Sequence, residues 1–373
     1  MKIIISISCC LLFPFASLSQ TTNDLLNLLV SNKTITQQQA DSLRADDANL
    51  QQQTNASRKS FFMSAARQMS LTGYTHFRYQ DFEEKGKNDA FDIRRARLDL
   101  KGSITPYFSY RVQTDFADKP KIIDAYGEIK IADYFMITGG QFKIPFSLEN
   151  LTSSNKLEFI DRSQVVEALV ARSKDVIGNQ NGRDIGIQIS GFLFRINDLQ
   201  LLEYRLGVFN GSGINVADTA NSAKDLSGRL ILTPFKGFAF GGSFYSGWDK
   251  AIKQDVAGKS QVRNRIGLEV SYTTSRLSIK GEYISGKDGK TSRDGGYLQA
   301  AYYVLPQKLQ LGVKYDIYDP NTAVGNNITT NYIFGGTFNF TSWSRLQAFY
   351  VMRSEQGTKV RNNFLTIQYQ IGF

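Results

Sequence analysis

The sequence predicts an all-β fold: a 16-stranded antiparallel transmembrane β-barrel with a short N-terminal helical segment. Three observations point there: period-two alternation of apolar and polar residues from Phe61 to Phe373, an even number of such segments, and connections that alternate between tight and long. The chain has 373 residues, 42% hydrophobic and 12% aromatic, with 31 glycines but only 7 prolines. Beyond the amino terminus no stretch approaches roughly 18 uninterrupted apolar residues, which rules out a transmembrane helix. Barrel strands escape that test because alternation hides their hydrophobicity.

Met1 and Lys2, the apolar run Ile3 to Phe15, and the small residues Ala16-Ser17-Leu18-Ser19 read as a signal peptide over 1–19, with Gln20 the first mature residue. Cys9 and Cys10 both lie inside it. The mature chain is therefore expected to have no disulfide, thiolate metal site or cysteine nucleophile. Losing Lys2 lowers the formal charge from +10 to +9.

Residues 20–60 read as a periplasmic helical segment and linker. Asp24 to Val30 suggests a short helix, and Thr36-Gln37-Gln38-Gln39 has the capping-box pattern at a second helix start. Ala40, Leu43 and Leu50 could continue an apolar seam, but Asp47 interrupts it. That favours a helical hairpin over a coiled-coil stub. Gln51 to Ser60 is polar and linker-like.

From Phe61 onward the alternation defines sixteen segments: 70–81, 90–104, 107–117, 121–132, 134–143, 182–193, 200–210, 222–233, 236–248, 259–273, 275–285, 293–304, 307–318, 327–340, 342–353 and 360–373. The last is typical, with Leu365, Ile367, Tyr369, Ile371 and Phe373 on one face. Pro106, Pro120, Pro145, Pro234, Pro306 and Pro320 all fall between segments, where a missing N–H harms no ladder. Tight connections such as Thr105-Pro106 and Ala132-Asp133 alternate with longer polar ones, including Phe82–Ala90, Gly211–Asn221, Asp249–Gly258 and Gly286–Ser292. The longest, Ile144 to Gly182, is expected to fold inward as a constriction loop.

Little supports catalysis. His76 is the single histidine, and a barrel hydrolase would need it as its base. A lumen or rim position is the simpler reading. Gly289-Lys290-Thr291 lacks the earlier glycine of a phosphate loop, Ile284 standing in its place. No catalytic or metal-binding residue, no cofactor and no nucleic-acid partner is expected.

If the apolar faces meet lipid, the polar faces line the lumen, because a charge at mid-depth on the lipid side costs about 2–4 kcal/mol. Arg95, Arg97, Arg111, Lys143, Arg205 and Arg229 then point inward, as do Arg265, Lys280, Lys314 and Arg345. Rings of Arg and Lys favour anions. Asp99, Asp115, Asp124, Glu128, Glu203, Asp225, Glu269 and Glu282 share those faces, so a nonselective channel of mixed charge is the alternative. The long loop adds Lys156, Arg162, Arg172 and Lys174 against Glu149, Glu158, Asp161, Glu167 and Asp175.

Four stretches carry a family resemblance: Phe91-Asp92-Ile93-Arg94-Arg95-Ala96-Arg97-Leu98, Gly140-Gln141-Phe142-Lys143-Ile144-Pro145-Phe146-Ser147, Arg183-Asp184-Ile185-Gly186 and Gly207-Val208-Phe209-Asn210-Gly211. In this order the chain resembles the phosphate-selective porin O and P family of outer-membrane porins over most of 70–373. Its Leu25–Ala45 stretch resembles the helical preface of Bacteroidetes-type members. The resemblance implies a trimer of sixteen-stranded barrels in the outer membrane of a Gram-negative bacterium, each pore narrowed by an inward loop and lined by an arginine ladder and a lysine cluster. Arg94 and Arg95 match the paired arginines, Arg97 is a further lining residue, and Lys143 falls in the matched segment before the loop. Arg94 has the wrong parity for the lumen unless the strand bulges there. The departure is the loop, whose acids outnumber its bases. The expected activity is passive diffusion of small hydrophilic, anionic (phosphate-like) solutes. The expected partners are outer-membrane lipid, lipopolysaccharide and the barrel assembly machinery, which would read the terminal Phe373.

Overall fold

Alternation sorts side chains onto two faces, and in lipid the backbone between them must satisfy every hydrogen bond within the sheet. A computed structural model of the chain describes residues 22–32, 34–41, 43, 63–64, 67–216, 223–249, 261–357 and 359–373. It divides into two units, Met1–Ser64 and Ala65–Phe373. The signal peptide and the 51–60 linker lie outside the described residues.

In the first unit α1 spans Thr22–Ser31. The Thr34 N–H closes the following turn on the Leu29 carbonyl at 3.0 Å. A second helical stretch at 37–41 opens with the expected capping box. The Gln39 N–H donates to Thr36 Oγ1 at 3.2 Å, and the Thr36 N–H donates to Gln39 Oε1 at 2.9 Å. Each partner satisfies an orphan donor of the other.

The second unit is a meander of sixteen strands. They are β1 (Arg67–Phe82), β2 (Ala90–Thr105), β3 (Phe108–Asp115), β4 (Lys121–Ala132), β5 (Phe135–Lys143), β6 (Arg183–Ile196), β7 (Leu199–Phe209) and β8 (Asp225–Phe235). Then come β9 (Phe238–Asp249), β10 (Gln261–Thr273), β11 (Leu277–Asp288), β12 (Thr291–Leu305), β13 (Leu309–Asp319), β14 (Thr329–Asn339), β15 (Ser344–Glu355) and β16 (Phe364–Gly372). Each pairs antiparallel with the next, and β16 pairs with β1 from Phe364↔Phe82 to Gly372↔Tyr74. The sheet is closed. No edge is left for another chain to extend. Beyond the ladder, Phe373 and Gly73 exchange both backbone bonds, at 3.0 and 3.1 Å.

The two faces separate as the alternation requires. On β10, Ile266 and Leu268 are each 61% exposed, while Arg263 and Arg265 just before them, on the opposite face, are buried. Outward aromatics gather near both strand ends, Tyr107, Tyr134, Phe194 and Trp343 at the tight turns and Phe91, Phe116 and Trp248 at the long connections. Such girdles mark the two interfaces of a membrane barrel.

Three local readings are corrected or resolved. His76 faces Arg95 and Phe77 faces Ile93, so Arg94 is the extra residue of a β-bulge, and the bulge turns it inward with Arg95. Pro234 lies within β8 rather than between strands, but beyond its last β7 partner Leu232 and in the irregular stretch facing β9. It removes no ladder bond. Gly286–Ser292, expected as a long connection, is the two-residue turn Gly289-Lys290 between β11 and β12, with Gly289 at φ +59°.

Residues 144–182 join β5 to β6 and fold against the inner wall. They carry α2 (Leu148–Leu151), a 3₁₀ turn at Ser154–Lys156, and α3 (Gln164–Leu169). Val165, Val166, Ala168 and Leu169 of α3 are buried with Phe209, Tyr245, Ile284, Tyr297 and Tyr318 of the wall. Phe159 and Ile160 are buried with Ile333, Phe349, Val351 and Phe364. Asn150 ties the neck of the loop, its Nδ2 donating to the Phe146 and Gly182 carbonyls at 3.2 Å each. Gly182 (φ +70°) must be glycine, because a Cβ there would sit 1.8 Å from Asn150 Oδ1.

Candidate functional site

Among the described residues, two polar cavities lie along the lumen beside the seated loop. One, on the side of the long connections, measures about 580 Å³ and is lined by ten basic against six acidic side chains. The other, towards the tight turns, measures about 240 Å³ and is lined by five basic against two acidic side chains. Arg97 lines both and marks their junction.

Most of the wall arginines are paired with carboxylates of the wall or of the loop. Arg97 donates to Asp115 at 2.7 Å and to the Tyr74 hydroxyl at 3.0 Å. Arg111 forms a fork with Asp99 at 2.8 and 2.9 Å and lies 3.6 Å from Asp124. Arg205 meets Glu203 at 2.6 Å, and Arg229 meets Glu269 at 2.5 Å. Arg94 engages the loop carboxylate of Asp161 and the Ile160 carbonyl.

Among the described residues, four cations gathered where the loop meets the wall have no carboxylate in ion-pair range. Arg95 is 8% exposed, with no carboxylate in ion-pair range among the described residues, and its Nη1 has no hydrogen-bond partner. Lys143 donates only to the carbonyls of Leu151 and Thr152, at 2.9 and 3.1 Å. Arg162 donates to the carbonyls of Glu149 and Thr152, at 3.0 and 2.9 Å, and its Nη1 is unpartnered. Arg172 donates to Asn150 Oδ1 at 2.6 Å and to the Asn181 carbonyl at 3.1 Å. Burial pushes the Arg162 guanidinium down to about 10; Glu167 and Glu149 pull against it, and Arg94 and Arg97 add to it. Burial, followed by Arg162, also pushes Arg172 down. A bound anion would favour the charged form of both groups.

The loop acids explain why a simple count misleads. Glu149 takes Lys314 at 2.7 Å, Glu158 takes Lys280 at 2.9 Å, and Asp175 takes Arg263 at 3.0 Å. Glu167 accepts from the Ser173 hydroxyl at 2.5 Å. From the wall, Glu282 accepts the Ser147 hydroxyl and the Glu149 N–H, both at 2.7 Å. Most of the acidic excess is turned towards wall cations, while Arg162 and Arg172 keep their charge for the lumen.

Of the residues singled out in the sequence, Arg94, Arg95, Arg97, Arg162, Arg172 and Lys174 line the larger cavity. Arg97, Arg111, Lys143 and Arg205 line the smaller one. Arg229 and Lys156 line neither, Arg229 being held against Glu269 and Lys156 facing away as an exposed residue. Sequence reasoning missed Arg183, which forks to Asp124 at 2.7 and 2.9 Å and lines the smaller cavity. Its signal was its place as the first strand residue after the loop. It also missed Arg78, Lys121 and Arg353 of the larger cavity. His76 is buried in the wall, its Nε2 2.9 Å from Gln370 Oε1 and its ring 5.0 Å from that of Tyr74.

Comparison with known proteins agrees with this architecture. The anion-selective porin of Comamonas acidovorans is similar at a TM-score of 0.61 and 12% identity, covering 82% of this chain and 100% of that one. OmpF of Salmonella typhi, solved with daunomycin, gives a TM-score of 0.59 at 10% identity, covering 83% and 98%. A loop-deletion form of OmpT, an outer membrane protein of Vibrio cholerae, gives 0.57 at 15%, covering 83% and 100%. At these identities the likeness shows the fold. No curated protein matches the chain. The family model described as phosphate-selective porin O and P matches residues 70–373, most of the chain and the barrel from within β1 onward. The chain belongs to the phosphate-selective porin O and P family.

Proposed function

We propose that this outer-membrane porin passes small hydrophilic anions by passive diffusion, phosphate-like oxyanions among them. The observation that carries the reading is a group of cations without a carboxylate, the buried Arg95, Arg162 and Arg172 and the half-buried Lys143, at the place where the inward loop narrows the lumen. Their uncompensated charge lowers the barrier to an anion and raises it to a cation. Guanidinium groups with open N–H donors suit oxyanions. Binding stays shallow because no single site encloses the solute, as throughput requires.

In this reading residues 1–19 direct secretion, 20–60 lie in the periplasm, and 144–182 set the bore. The barrel resides in the outer membrane of a Gram-negative bacterium, in contact with lipid and lipopolysaccharide, after insertion by the assembly machinery. A homotrimer is proposed, one Vibrio cholerae relative in fold having been solved as a trimer. The test is the reversal potential of the purified barrel in a planar bilayer under a KCl gradient. Anion preference that falls in the Arg95→Gln, Arg162→Gln double variant supports the reading. An unchanged ratio removes these residues from the conduction path.

A further inference from the structure

Asp161 occupies a curious place for an acid on an anion path. The two residues before it, Phe159 and Ile160, are buried against β14, β15 and β16. The residue after it, Arg162, is tied to the carbonyls of Glu149 and Thr152. Held on both sides, the Asp161 side chain still stands 37% exposed in the larger cavity. Its carboxylate engages Arg94, and Arg78 Nη1 lies 3.9 Å away. Both guanidiniums are fixed by other bonds: Arg94 to the Ile160 carbonyl at 2.5 Å, and Arg78 to Asp92 at 3.0 and 2.5 Å. Only the bulge in β2 brings Arg94 here at all.

We propose that Asp161 is a tethered competitor for the solute: its carboxylate occupies the Arg94 and Arg78 guanidiniums at the mouth of the constriction, and a passing anion exchanges with it. The proposal rests on the reading of the pore as anion-preferring. A carboxylate on a fixed loop re-binds without diffusing away, so it holds its place at high effective concentration. An anion that accepts only one hydrogen bond displaces it poorly. An oxyanion that can bridge Arg94 to the unpartnered Nη1 of Arg95 or Arg162 competes well, since guanidinium–oxyanion forks are strong and directional. Asp161 would thus hold the site empty enough for release while setting which anions gain access.

The test uses the full-length protein in planar bilayers, with inorganic phosphate as blocker of the chloride current. The parent, Asp161→Asn, Arg94→Gln and the double variant form a cycle, with Asp161→Glu and Glu167→Gln as references. Glu167 lines the same cavity but bonds Ser173 rather than Arg94. Asp161→Asn should lower the half-blocking phosphate concentration by about twofold or more, within the range for coupled neighbours. That gain should vanish in the Arg94→Gln background, and Asp161→Glu should block like the parent. An equal gain in the Arg94→Gln background, or the same gain in Glu167→Gln, would mean that only the general field matters and would overturn the proposal. A parent pore without anion preference would overturn the underlying reading, and the proposal with it.

Discussion

Arg95 and Arg97 stand two positions apart on one strand and face the same lumen, yet their situations differ. Arg97 is locked by Asp115 and Tyr74, whereas Arg95 sits among Arg94, Arg97 and Arg162 with no acid in ion-pair range among the described residues. Arg95→Gln should therefore lower the Cl⁻ to K⁺ permeability ratio, while Arg111→Gln, which frees the Asp99 charge that it neutralised, should lower it without weakening phosphate block. Arg97→Gln should act on stability first. It strands the buried carboxylate of Asp115, a change that costs about 3–5 kcal/mol for buried pairs. The check is a lower temperature for loss of the folded band in heat-modifiability gels, and an unchanged transition would show that Asp115 finds another partner. The cations themselves were legible in the sequence, because parity along each strand sorts them to one face. Their pairing was not. It depends on register, and a bulge shifts register without leaving a mark in the alternation, as Arg94 shows.

At the scale of elements, all sixteen segments read from alternation overlap a strand, and 121–132 coincides with Lys121–Ala132. The errors lie where strands run past the membrane. β11 and β12 extend to a two-residue turn because Lys287, Asp288 and Thr291 keep pairing although their composition reads as loop. The long loop was legible as an interruption of the period. Its docking was not, since the apolar clusters that seat Phe159 and Val165 draw partners from strands more than a hundred residues away. Replacing Asn150 to Asn179 with a short Gly/Ser linker should raise single-channel conductance by roughly twofold or more, because a sixteen-strand barrel without an inward loop leaves an open aqueous channel. Conductance near the parent value would mean that these residues do not limit the bore. Phe373 offers a second test. Its backbone closes the barrel on Gly73, and its ring lies where a Gly73 Cβ would come within 2.5 Å. Deleting it should reduce the yield of heat-modifiable barrel in the outer membrane without reducing secretion, and normal yield would contradict the role.

For the whole molecule, closure, polarity and charge form one argument. The closed ladder removes edges, the outward face carries the apolar band and its aromatic girdles, and the inward face holds the charge. The formal +10 of the full chain does not by itself dictate selectivity, because most wall cations are paired. What remains is local: a few unpaired guanidinium and ammonium groups on both sides of Arg97, in cavities where basic side chains outnumber acidic ones. A narrow opening with low-dielectric walls strengthens such a field relative to open water. The measurement that bears on this most directly is the zero-current potential of the native channel across a KCl gradient. Chloride should dominate, giving a potential of the sign set by anion flow, and the preference should weaken as salt rises and screens the lining. A potential of the opposite sign, or one near zero at low salt, would contradict the account.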